Sequence, residues 1–123
     1  MQGLAEAHNA VIRTNVAPYE GVAAGLLAAW RRAHGTENGQ AHVMAGPTGL
    51  AVFIEEAFSR AELTLAGRRE GHALLNRYVG SLLEEVCREQ TAAVAEVAQR
   101  PVVSTGASLD PQAGWVMVVF KFA

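Results

Sequence analysis

Residues 72–99 read HALLNRYVGSLLEEVCREQTAAVAEVAQ. Within them Leu75, Val79, Leu82, Val86, Ala93 and Val97 keep close to a 4-3-4 spacing, with Gln90 as the polar interruption. Leu74, Tyr78, Leu83 and Val94 widen the stripe, and Glu84 and Arg88 fall four apart on the opposite side. This is the signature of one amphipathic helix, and Pro101 stops it. At 1.5 Å per residue, about 28 residues make a helix roughly 42 Å long. A compact domain of this size has a radius of gyration of roughly 14 Å, hence a diameter of about 35 Å. An unbroken helix therefore overhangs its own domain, unless it kinks near Gly80.

Upstream, Gly67 and Gly71 predict a break. Before it, Ser59-Arg60-Ala61-Glu62 is a capping box that starts a short helix reaching Leu65 or Ala66. Further back, Ala41–Ala45 and Leu50–Glu55 read as two strands joined by Gly46-Pro47-Thr48-Gly49, too short a loop for anything but a hairpin. Ahead of the hairpin, Tyr19, Val22, Leu26, Trp30 and Ala33 form a helical stripe. Pro18 and Glu20 suit its first turn, Arg31, Arg32 and His34 its last, and Gly35 its left-handed stop. Leu4 to Ile12 is weakly amphipathic, so residues 1–15 read as an arm or short helix.

Downstream, Val102–Ala107 and Trp115–Phe122 read as two more strands around an Asp110–Gly114 turn. The order α-β-β-α(short)-α(long)-β-β predicts a two-layer α+β domain, residues 1–123, with a four-stranded, largely antiparallel sheet and helices on one face. The last strand places Trp115, Met117 and Val119 on one face and Val116, Val118, Phe120 and Phe122 on the other. Both faces call for burial, and one helix layer covers only one. Together with the overhanging helix, this predicts a homodimer whose interface includes Val86, Val94, Val97, Trp115, Met117 and Val119.

A net charge of −2 and a pI near 6.1 give no field for nucleic acid or an anionic membrane. Half the residues are hydrophobic and 18% charged, enough to build one core. Cys87 has no intramolecular partner and reads as a packed apolar residue. The first residues lack a basic region followed by an apolar run, and no stretch reaches the roughly 20 apolar residues of a membrane span. The expectation is a soluble, cytoplasmic protein without direct membrane insertion.

No chemistry-bearing constellation stands out. His8, His34, His42 and His72 lie on different elements without metal-ligand spacing, so neither a metal nor a cofactor is expected. Glu55 and Glu56 are strand neighbours on opposite faces, and no serine sits in a nucleophile elbow. Gly35-Thr36-Glu37-Asn38-Gly39 lacks the ending of a phosphate loop. Arg68, Arg69, Arg77 and Arg100, with His72 at the start of the long helix, are the candidates for an anion site. No catalytic residue is assigned, and the chain is expected not to be an enzyme.

Phe58-Ser59-Arg60-Ala61-Glu62-Leu63-Thr64-Leu65 resembles the L-T-x-A-E-x-T-L segment of the small bacterial MpsC domain family. The order around it is similar too. Arg77 lies within the long helix, followed by Val102-Val103, Asp110-Pro111 and the terminal Val119-Phe120-Lys121-Phe122. The likeness spans roughly residues 19–122. The family's Gly-Arg-Gly-Pro after the first helix is replaced by Gly35-Thr36-Glu37-Asn38-Gly39, and its glycine before the Val-Val strand is replaced near Arg100-Pro101. The resemblance implies a link to a cation-translocating, membrane-potential-generating system associated with inorganic-carbon uptake. The role expected is that of a non-catalytic accessory or regulatory protein that self-associates and meets a protein partner at the membrane. The alternative is a small-molecule or anion sensor with a pocket at the sheet–helix or dimer seam.

Overall fold

The computed structural model describes residues 17–123; the arm or short helix expected over residues 1–15 lies outside them. A 3-10 turn, Ala17–Tyr19, leads into α1 (Glu20–His34). The chain continues through β1 (Gln40–Ala45), β2 (Gly49–Glu55), α2 (Arg60–Ala66), α3 (Arg69–Ala98), β3 (Val102–Asp110) and β4 (Trp115–Phe122). The order and the two-layer α+β class are those the sequence predicts.

Local chemistry accounts for most of the boundaries. Gly35 ends α1 in the left-handed region at φ 75°, its N–H donating to the Arg31 carbonyl. The Arg31 guanidinium donates to the Gly39 carbonyl at 3.0 Å and so fixes the loop entering β1. Both halves of the capping box of α2 are formed, with Ser59 Oγ accepting from the Glu62 N–H and the Glu62 carboxylate accepting from the Ser59 N–H. The turn into β4 is held by Asp110, whose carboxylate accepts from the N–H groups of Gln112 and Ala113.

Two boundaries differ from expectation. α3 begins at Arg69, so Gly71 lies inside its first turn and is no break. A Cβ at Gly71 would come within 2.1 Å of the Leu65 carbonyl oxygen, so the glycine is there to let α2 and α3 touch. β3 runs on past Ala107 to Asp110, paired residue by residue with β4. Nor does α3 break at Gly80. It is one helix of 30 residues, about 45 Å long.

The sheet is wholly antiparallel in the order β1-β2-β4-β3, so the two most apolar strands are the central ones. Leu50, Val52 and Ile54 of β2 and Val116, Val118, Phe120 and Phe122 of β4 point under the helices and are buried. They meet Val22, Leu26 and Trp30 of α1 and Leu75, Val79, Leu83, Val86 and Val94 of α3 in one core.

Candidate functional site

Among the described residues no helix lies over the opposite face of the sheet. Period-two alternation places Trp115, Met117 and Val119 of β4 there, each half-buried. Strand register sets Met117 beside Phe53 and Val119 beside Ala51, with His42 and Met44 of β1 next in those two rows. Phe53 and Trp115 lie with ring centroids 5.4 Å apart, and Met44 is 51% exposed at the rim. The charged groups are peripheral. His42 Nε2 and a Glu55 carboxylate oxygen are 3.2 Å apart at one end, and Lys121 is exposed at the other. An apolar, aromatic centre with a polar rim has the composition of a protein-binding surface.

Of the residues expected at a dimer interface, Trp115, Met117 and Val119 are on this face. Val97, 41% exposed, is in the last turns of α3. Val86 and Val94 offer no surface at all. They are 1% and 0% exposed because the apolar stripe of α3 is wide enough to be covered by the chain's own α1 and sheet. The helix instead shows Leu74 and Tyr78 near its start, 57% and 51% exposed. Arg88 also departs from expectation, pairing with Glu85 rather than Glu84.

The proposed anion ligands do not converge. Arg68 and Arg69 share a shallow cleft with Leu65, Glu70 and Leu74. His72 and Arg77 are not in its lining; His72 Nδ1 lies 3.2 Å from the Asn76 amide, and Arg77 is exposed. Arg100 is committed elsewhere. Its guanidinium donates to the carbonyls of Pro47 and Ala123 and lies over the Phe122 ring. Among the described residues no group of three or more His, Cys, Asp or Glu side chains is placed to hold a metal. Burial, with the Glu84 carboxylate adding to it, pushes the Cys87 thiol up, so it is a poor nucleophile at neutral pH.

One constellation escaped the sequence reading. His34, at the end of α1, stacks on Trp30 at 4.5 Å and meets Phe58 edge-on. Its Nε2 lies 2.6 Å from the Glu62 carboxylate, while Nδ1 is buried without a partner among the described residues, as is Trp30 Nε1. Burial pushes the Glu62 carboxyl up, but the Ser59 N–H and His34 outweigh it and hold the group below its ordinary value. Glu62 thus caps α2 with one oxygen and ties α1 to it with the other.

The family model described as Na+-translocating membrane potential-generating system (MpsC) matches residues 27–123. The chain belongs to the MpsC family. No curated protein and no solved structure matches it. The MpsC span opens within α1 and takes in the whole sheet, α2 and α3, so the bare sheet face and the His34–Glu62 tie both lie inside it. No helix among the described residues is long and apolar enough to cross a membrane.

Proposed function

We propose that this MpsC-family chain is a non-catalytic accessory component that self-associates and docks on a protein partner of a sodium-translocating, membrane-potential-generating system. The observation carrying this reading is the half-exposed sheet face around Phe53, Trp115, Met117 and Val119, which no helix among the described residues covers. Fully burying a side chain of this kind is worth about 1.5–3 kcal/mol, so a few of them suffice for an interface anchor. The family description supplies the system, and the face supplies a means of meeting it.

The test is retention of the protein on washed membranes that contain the sodium-translocating system, against membranes that lack it. Met117→Asp and Met44→Asp, on the face and at its rim, are expected to abolish a retention that depends on the system while leaving circular dichroism unchanged. Equal retention on both membranes, or retention indifferent to both variants, overturns the docking reading.

A second reading, anion sensing, draws on the cleft that holds Arg68 and Arg69 at the start of α3. A ligand at 100 times its Kd adds about 2.7 kcal/mol of stability. A rise in Tm with bicarbonate or inorganic phosphate that Arg69→Ala removes would favour it, and a flat response would dismiss it.

A further inference from the structure

Among the described residues β3 is an edge strand, nine residues long and bonded on one side only, to β4. An open edge presents N–H and C=O groups to any second strand, and proteins blunt such edges with lysine, proline, inward charge or very short strands. Ser104-Thr105-Gly106-Ala107-Ser108 has none of these and is exposed throughout, and the one bulge of β3, a further blunting device, lies before it between Val102 and Ser104. Beside it, on the helix side of the sheet, runs a cleft of about 510 Å³ between α3, at Gly80, Glu84, Arg88 and Thr91, and β3, at Thr105 and Ala107.

We propose that this edge and cleft are the self-association surface, filled by β3 and α3 of a second copy across a two-fold axis normal to the sheet that passes midway between the Gly106 residues of the two copies. The proposal rests on the self-association reading above and names its surface. Antiparallel pairing about Gly106 sets Ser104 opposite Ser108 and Thr105 opposite Ala107, so small uncharged residues meet small uncharged residues. The bulge between Val102 and Ser104 limits the regular stretch on one side of that axis. The helix wall of the cleft is self-complementary in charge. Antiparallel α3 helices related by the same axis bring Glu84 of each copy towards Arg88 of the other, whose exposed guanidinium would exchange its pairing with Glu85 of its own helix for this one. There is room for the approach, since a Cβ at Gly80 or at Gly106 would meet nothing within 4 Å. Because the axis is normal to the sheet, both helix layers lie on one side. The two bare faces then join into one face of eight strands, twice the four of each copy.

Three measurements on the full chain test this. Light scattering behind size exclusion is expected to give a mass near twice 13.0 kDa for the wild type. Ala107→Arg, a change at an exposed position, is expected to return it to 13.0 kDa with unchanged circular dichroism. Gly106→Cys, opposite itself across the axis, is expected to form an interchain disulfide under mild oxidation, whereas Met44→Cys on the opposite edge strand is not. A wild-type dimer that survives Ala107→Arg and gives no Gly106→Cys crosslink overturns this surface while leaving self-association standing. A dimer dissolved by Met117→Asp but not by Ala107→Arg assigns the interface to the bare face and likewise overturns it. A wild-type monomer overturns this surface and self-association together.

Discussion

Alternate residues of β4 occupy two different environments. Val116, Val118, Phe120 and Phe122 are at most 5% exposed beneath the helices, whereas Trp115, Met117 and Val119 lie half-open on the other side. The two sets are equally apolar, so composition does not separate them. The helix layer does. α1 rests against β1 and β2, α3 against β3 and β4, and both stand on the same side. On the covered face the apolar side chains build the core, and on the other they are half-exposed, with no described helix over them.

The sharpest way to break this comparison is to truncate one residue on each face. Phe120→Ala, fully buried, is expected to lose about 3–5 kcal/mol of stability in denaturant unfolding. Met117→Ala, on the opposite face of the same strand, is expected to lose less than about 1 kcal/mol. Equal losses would mean that both faces are buried in the molecule under study. A smaller effect comes from loosening the cover itself. Gly71→Ala drives a methyl group against the Leu65 carbonyl and is expected to cost about 1–3 kcal/mol, read as a lower urea midpoint. A neutral Gly71→Ala would show that α2 can move away without cost to the core.

The smallest effect is the most specific. Glu62→Gln removes a charged acceptor from Ser59 and His34 and is expected to cost about 1 kcal/mol at pH 7. The Glu62 carboxyl is held below its ordinary value of 4.5 in the fold, so its ionised form contributes stability above that pH. The contribution is lost as pH falls through the lowered folded-state value. The gap between wild type and Glu62→Gln should therefore be full at neutral pH and close in acid. A gap that widens below 4.5 would reverse the assigned direction.

Elements governed by local spacing were legible in the sequence. The capping box at Ser59, the stop at Gly35 and the order of helices and strands all follow from neighbours a few residues apart. Features that depend on a distant partner were not. Gly71 resembles a break when seen alone, because its close neighbour Leu65 arrives only with the folded turn. The end of β3 is not legible because Gly106-Ala107-Ser108 shows no apolar alternation, and it is pairing with β4 that extends the strand. His34 and Glu62 are 28 positions apart, a separation with no helical or strand period to announce it. Val86 and Val94 look like interface residues in the sequence because a wide stripe on one helix does not say which of several neighbours will cover it.

The chain's two tryptophans stand on either side of the sheet, and each reports a different event by its fluorescence. Trp30 is 0% exposed and stacked on His34, so its emission should be blue and shielded from acrylamide. Trp115 lies half-open beside Phe53, within reach of quencher until something covers it. One unlabelled sample thus carries two optical channels, one for the state of the core and one for occupancy of the open face.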